Sequence, residues 1–331
     1  MSASNPQGRP PSLKDEWLKH KADRLDFLKQ SIDTVDRWIG AIQDPELGTI
    51  GADLITAFKA SHCRETIDVR YIGLAHYTSY SLNENSGGFI NEIIYGPSAQ
   101  EDLVRLYSAK VHEATHALQK VYCPALHATP FNRSSNIIIC PEDWVKLQIL
   151  CERDAYTKQA LFNSLLARDL EEVADLTKND PVSVETFNLM RANGAPLADI
   201  LTQVAEVALE KSFYWDDAAS VYQFKDHYQD FILENYDAGI SLRDVNAPIE
   251  FVRVDVSDLA AVGINIGPSR FTLAYVQALF DNALDLKPEV QDSLNALNSR
   301  LGITDKRQLR SFQDAKSSPN PPAIQNTPSL P

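Results

Sequence analysis

The sequence is short of cysteine and has no long apolar run. Its four cysteines (Cys63, Cys123, Cys140 and Cys151) form no Cys-x-x-Cys pair and are too scattered for a disulfide framework. No apolar run approaches the roughly 18–20 residues that span a bilayer. The first eleven residues lack the apolar segment of a secretory signal peptide. We therefore expect a cytoplasmic protein with buried free thiols, and export by a route without such a signal is the alternative.

Basic residues are outnumbered as well. The chain has 31 Lys and Arg against 45 Asp and Glu, which gives a net charge of −14. A field of this sign repels phosphate backbones and anionic lipids, so we expect neither nucleic acid nor a membrane as a partner. The 331 residues, of which 44% are hydrophobic, suffice for one large domain or two modest ones.

The apolar periodicity predicts an α+β protein that is mainly α. Spacings of three, four and seven between residues 13 and 42 favour a long helix that packs on its own domain, with a dimeric coiled coil as the alternative. Alternating, β-branched and aromatic residues predict a small antiparallel sheet over about 66–96. Further helices are predicted over 52–61, 98–122, 143–166, 183–193, 196–213, 216–235 and 270–285, and a lone strand over 248–256.

Both ends of the chain are polar and rich in proline. We expect residues 1–12 and 316–331 to be disordered, because they hold almost nothing to bury. Between them we predict a first domain over 13–166 and a helical region over 167–315 that packs on it.

The helix predicted over 98–122 begins at a capping box, Ser98 to Glu101, and carries the motif His112-Glu113-Ala114-Thr115-His116. Residues four apart share one helix face, so both imidazoles can reach one ion with Zn–N distances of about 2.1 Å. Glu113 can contact the water bound to zinc, whose pKa falls to about 7, and take its proton as a general base. Two surface histidines one turn apart are the alternative interpretation.

A catalytic zinc site needs a third protein ligand. The third histidine and the glycine of a metzincin are absent, because Tyr122 and Gln119 occupy those positions. Our preferred ligand is Glu152, which lies among apolar residues of the next predicted helix, where an unpaired carboxylate is costly. A salt bridge from Glu152 to Lys146 or Arg153 is the alternative.

Two further residues are backup ligands. His127 reaches the site only if the loop after Pro124 folds back. Asp154 points about 200° away from Glu152 around the helix, so it either replaces Glu152 or accepts a hydrogen bond from an imidazole N–H. Glu142 and Asp143, at the start of the same helix, are more simply capping residues.

These motifs resemble the zincin metallopeptidases of the gluzincin type. The nearer resemblance is to a group of bacterial domains described only as candidate metallopeptidases, which pair His-Glu-x-x-His-Ala-x-Gln with Glu-x-Asp-Ala, here residues 112–119 and 152–155. The resemblance covers roughly residues 50–165. It implies a zincin-like core and Zn²⁺ bound by His112, His116 and Glu152. Tyr156 stands where well-studied gluzincins often carry an aspartate.

The resemblance also implies a substrate. In zincins an edge strand beside the active-site helix binds an extended peptide by strand addition, and residues 88–95 are our candidate for that strand. His127, Tyr156, His227 and Tyr228 are candidates for the oxyanion donor, and a structural role is the preferred alternative for each. The predicted function is a zinc-dependent metallopeptidase that cleaves a peptide or protein. The alternatives are a non-catalytic binding protein with structural zinc and a zinc hydrolase of a non-peptide bond.

Overall fold

The structure is a computed structural model. It describes residues 13–68, 75–81, 89–96, 103–132, 135–169, 181–210, 212–214, 221–243, 249–255 and 286–317. This part of the chain is mainly helical and contains a small mixed sheet, as the predicted mainly α class requires. None of the described helices is both long and apolar enough to cross a membrane.

The helices follow the apolar periodicity of the sequence. They are α1 (Leu13–Ala41), α2 (Ile50–Ala60), α3 (Leu103–Tyr122), α4 (Pro141–Asp169), α5 (Pro181–Ala192), α6 (Leu197–Glu210), α7 (Phe224–Ser241), α8 (Pro288–Arg300) and α9 (Phe312–Ser317). Short 3₁₀ turns cover Pro124–His127 and Lys306–Gln308.

The strands form one three-stranded sheet and two pairs. The sheet has the order β1 (Arg64–Ile67), β3 (Phe89–Tyr95), β2 (Ala75–Ser81). The pairs are β4 (Ile137–Ile139) with β7 (Glu250–Val252), and β5 (Ser212–Tyr214) with β6 (Val221–Gln223).

Two predictions about the sheet are wrong. It is mixed rather than antiparallel, because β1 pairs with β3 in parallel while β2 pairs with β3 antiparallel. The segment 88–95, predicted to be an edge strand, is mostly β3, which lies between the other two strands. Among the described strands the edges are β1 and β2, and β2 is the one that packs on α3. Alternation marks residues as a strand, but it does not fix which neighbours that strand acquires.

The long first helix packs on its own domain, as predicted. Its apolar stripe from Leu28 through Val35 to Ile42 is buried in the main core. Cys123, Cys140 and Cys151 are likewise buried and free, as expected.

Helices α2, α3, α4 and α5 match their predicted ranges to within a few residues, although the capping box from Ser98 to Glu101 and the helix predicted over 270–285 lie outside the described residues. Two helix boundaries are wrong. The end of the helix predicted over 196–213 is strand β5, and α7 begins at Phe224, directly after β6. Helices α8 and α9 were not predicted, and α9 continues to Ser317, two residues into the predicted tail. The other residues of both predicted disordered ends lie outside the described ranges.

Helix α3 is central to the fold. One side of it packs on α1, α2 and the sheet, and the other side packs on α4. Buried hydrogen bonds join the two helices: the Tyr107 hydroxyl donates to the carbonyl of Phe162 (2.9 Å), and the Ser108 hydroxyl donates to Asn163 Oδ1 (2.8 Å). The loop of about 18 residues that connects them lets the chain reverse, so the start of α4 lies beside the end of α3.

The start of α4 also binds the C-terminal segment. Asp143 accepts hydrogen bonds from the amide of Val254 (2.8 Å) and from Lys306 Nζ (2.7 Å). Glu142 pairs with Lys146 and Lys306 at 2.7 and 2.9 Å. Both acids lie in the first turn of the helix, where capping was predicted, and they attach distant parts of the chain to it.

A buried carboxylate ties α1 to the later helices. Asp44 accepts hydrogen bonds from Arg168 (3.1 Å) and Arg191 (2.7 Å), and from the amides of Glu46 and Leu47. Burial by itself raises the pKa of Asp44, but the hydrogen bonds from Arg191 and the two amides outweigh it and hold the pKa below its ordinary value.

We predict that Asp44→Asn lowers the free energy of unfolding by about 1–3 kcal/mol, because it removes the charge that both arginines contact. The lowered pKa stabilises the native state above pH of about 4, and this stabilisation is lost as the pH falls. The variant should therefore lose less stability than wild type between pH 5 and 3. Urea unfolding at several pH values measures both effects.

The matched control is Asp26→Asn, since Asp26 forms an exposed pair with Lys29 at 3.7 Å. It should change stability by no more than about 0.5 kcal/mol. Equal losses of unfolding free energy in the two variants would show that the buried contacts of Asp44 stabilise the fold no more than an exposed ion pair does.

Candidate metal centre

Helices α3 and α4 bring together the three predicted metal ligands. Glu152 Oε2 lies 3.3 Å from His112 Nε2, and Glu152 Oε1 lies 3.4 Å from His116 Nε2. The two Nε2 atoms are 3.1 Å apart. Within the described ranges, these three residues are the one group of His, Cys, Asp or Glu side chains whose ligand atoms converge as a metal site requires.

The two Glu152 distances end on its two different oxygens, and one ligand atom from each of the three residues lies within 4.8 Å of the others, close enough to share one ion. Ligand atoms that each lie about 2.1 Å from a tetrahedral zinc are about 3.4 Å from one another. Two imidazole nitrogens and a carboxylate oxygen are also a donor set of catalytic zinc sites, which keep the fourth position for water. The same donors suit other divalent first-row metals, so the cluster could hold a metal ion but is not specific to zinc.

Glu152 and His116 strongly shift each other's pKa. Burial raises the pKa of Glu152, but the neighbouring His116 and His112 outweigh it and hold this pKa far below its ordinary value. Burial lowers the pKa of His116, but the Glu152 carboxylate raises it to about 9. The Glu152 carboxylate thus stabilises positive charge on the neighbouring His116 ring.

Glu113 lies on the side of α3 that faces the sheet. Its Oε2 accepts a hydrogen bond of 2.7 Å from the amide of Tyr77 on the edge strand β2. Burial is the main reason that the pKa of Glu113 is raised, and His112 and His116 oppose that shift. Adjacent positions on a helix point about 100° apart, so Glu113 borders the site without joining the ligand set.

Gln119 supports the site from behind, and the sequence analysis gave it no role. Its Oε1 lies 2.9 Å from His116 Nδ1, and its Nε2 donates to the carbonyl of Cys151 (2.9 Å) and to Asp154 Oδ2 (2.8 Å). Asp154 also pairs with Lys158 at 2.6 Å. The signal in the sequence was the spacing, since a residue three positions after His116 lies beside it on the helix.

The backup ligands take other roles. Asp154 contacts Gln119 rather than an imidazole, and His127 Nε2 donates to the carbonyl of Lys120 at 2.8 Å. Lys146 pairs with Glu142 at 2.7 Å, and Glu152 contacts both imidazoles.

Two of the four candidate oxyanion donors, Tyr156 and His127, have described side chains. The Tyr156 ring lies edge-on to the His112 ring, with centroids 4.4 Å apart. His127 contacts the end of α3, while the side chains of His227 and Tyr228 lie outside the described part of the structure.

A cavity of about 350 Å³ opens beside the ligands. Glu113, His112, His116 and Glu152 line one part of it. Strand β2 contributes His76, Tyr77 and Ser79, and the Tyr77 ring stacks near His116 with centroids 6.3 Å apart. Alternation in the sequence predicts β2 as part of the sheet, but it gives no sign that residues of β2 line the site.

Comparisons with known proteins return no match, whether with family models, curated proteins or solved structures. The function must therefore be argued from the site itself.

We predict that the purified protein binds one zinc per chain and that His116→Ala and Glu152→Ala each lose it, because two ligands alone hold the ion weakly. Elemental analysis after dialysis measures the zinc content. Glu142→Ala is the matched control, since its carboxylate lies on the same helix, where it pairs with lysines, and it should keep the ion. Full zinc content in Glu152→Ala would disprove the three-ligand assignment.

Proposed function

We propose that the protein is a zinc-dependent metallopeptidase whose ligands are His112, His116 and Glu152. The observation that carries this proposal is the placement of Glu113. Its carboxylate borders the ligand cluster and is held by the amide of Tyr77 at 2.7 Å. A purely structural metal site has no need of a carboxylate beside its ligands, whereas hydrolysis needs a base at that position.

Each residue has a distinct task in this mechanism. His112, His116 and Glu152 would hold the zinc ion, which would supply a water of lowered pKa and polarise the scissile carbonyl. Glu113 would take the proton of the attacking water and pass it to the leaving amine. The Tyr77 amide orients the Glu113 carboxylate by donating a hydrogen bond to one of its oxygens. The other oxygen of Glu113 would accept the proton of the water. The ligand pair on α3 and the base between them thus move as one rigid helix.

The edge strand supports a peptide as the substrate. Because the Tyr77 amide donates to Glu113, the amide and carbonyl of Tyr77 point away from β3, and in an antiparallel ladder those of Ser79 do too. Ser79 also lines the cavity. An extended peptide can therefore pair with the outer edge of β2 at Ser79, and the peptide backbone can then pass across the metal centre.

We predict that Glu113→Gln keeps the zinc but lowers the rate of peptide hydrolysis by about 10²–10⁴-fold, because the amide cannot accept the proton. The assay uses zinc-loaded protein and a library of quenched fluorogenic peptides, with zinc content measured in the same samples. Glu142→Gln is the control for a neutralised carboxylate outside the cavity.

Two results would contradict this proposal. If Glu113→Gln still hydrolyses peptides, Glu113 is not the general base. If zinc-loaded wild type cleaves no peptide, the protein is not a peptidase.

We also predict that Ser79→Pro raises KM about three- to tenfold and leaves kcat little changed, because proline removes one outward amide donor from the edge strand. The proline is not expected to disturb the hydrogen bonds between β2 and β3, since the amide of Ser79 that it replaces points away from β3. Ser79→Ala keeps that amide and should behave like wild type. Equal KM values for the proline and alanine variants would show that substrate does not add to β2.

A further inference from the structure

The hydrogen bonds around Gln119 have one allowed direction. The carbonyl of Cys151 can only accept, and Asp154, in its ion pair with Lys158, is also an acceptor. The group of Gln119 that faces both of them must therefore be its NH₂. This leaves the Gln119 oxygen, Oε1, as the group 2.9 Å from His116 Nδ1.

An amide oxygen can only accept, so His116 Nδ1 must carry a proton and donate it. When His116 is a neutral ligand, its one remaining lone pair is then on Nε2. Nε2 is the atom that lies 3.4 Å from Glu152 and 3.1 Å from His112. The contacts of Gln119 with α4 thus select the ring nitrogen that faces the metal position.

The other histidine has no equivalent. His112 Nδ1 is buried, and no residue in the described ranges forms a hydrogen bond with it. The His112 ring is held by packing instead, edge-on to Tyr156. The hydrogen bonds that fix the tautomer of a ligand therefore converge on His116.

We propose that Gln119 is a positioning residue that fixes the Nδ1–H tautomer and ring orientation of His116, and that Asp154 and Lys158 lock its amide in the required direction. The inference deepens the proposed function because it rests on the same metal centre. Hydrogen-bond partners behind metal ligands typically contribute 10–100-fold to metal affinity.

The test is the zinc affinity of Gln119→Met, measured by competition with a chromophoric chelator. Methionine matches glutamine in length but cannot form these hydrogen bonds. We expect the affinity to fall 10–100-fold. The matched control is Ser108→Ala, which removes another buried hydrogen bond between α3 and α4, the one to Asn163, and should keep wild-type affinity.

A second measurement needs no variant. Nitrogen-15 NMR of the zinc-loaded wild-type protein should show the His116 proton on Nδ1 and the metal on Nε2. The opposite assignment, with the metal on Nδ1, would overturn the inference even if Gln119→Met failed to fold. Unchanged zinc affinity in folded Gln119→Met would overturn it as well.

These outcomes separate the inference from the proposed function. If wild type binds zinc with the expected tautomer but cleaves no peptide, the role of Gln119 stands and the peptidase proposal falls. If Gln119→Met binds zinc as tightly as wild type, the role of Gln119 falls and the peptidase proposal is unaffected. If wild type binds no zinc, both are overturned.

Discussion

The interface between α3 and α4 fixes the core of the protein and the geometry of the candidate metal centre together. Apolar side chains such as Val111 and Leu150 bury its length, and the hydrogen bonds from Gln119 to the Cys151 carbonyl and to Asp154 join the two helices beside the site. In this alignment Glu152 lies opposite His112 and His116. A slide of one residue, about 1.5 Å along the helix axis, would disturb ligand-atom spacings of 3.1–3.4 Å. The packing of the core thus also sets the spacing of the proposed ligand atoms.

The protein buries many charged groups, and their grouping explains how it tolerates them. An isolated charge in a core is costly, whereas a charge with partners is much less so. Lys110 contacts Asp36 and Glu65, and Asp44 contacts two arginines. Lys158 with Asp154 follows the same rule. The cluster of Glu152 and the two histidines differs, because the carboxylate contacts both rings and one ligand atom from each of the three residues could bind the same metal ion.

The two sides of helix α3 carry different residues of the candidate site. The side toward α4 carries His112 and His116, while Glu113 faces the sheet, where the Tyr77 amide binds it. The cavity lies between these sides and borders the edge strand. A rigid helix therefore holds the proposed ligands and the proposed base at a constant separation, beside the strand that lines the cavity. Gln119 adds a third contact, because it ties the orientation of His116 to α4.

The sequence by itself predicted most of the described helices, the packing of α1 and the four residues of the candidate site. Periodicity of apolar residues records burial, and the spacing of His112 and His116 fixes a shared helix face before any tertiary contact forms. Tertiary structure decided the rest. The parallel pairing of β1, the position of β2 at the edge and the contact of Tyr77 with Glu113 join residues far apart in the chain, which local patterns do not encode. Gln119 illustrates the division: its place beside His116 follows from the sequence, but its amide has a direction only because α4 presents acceptors to it.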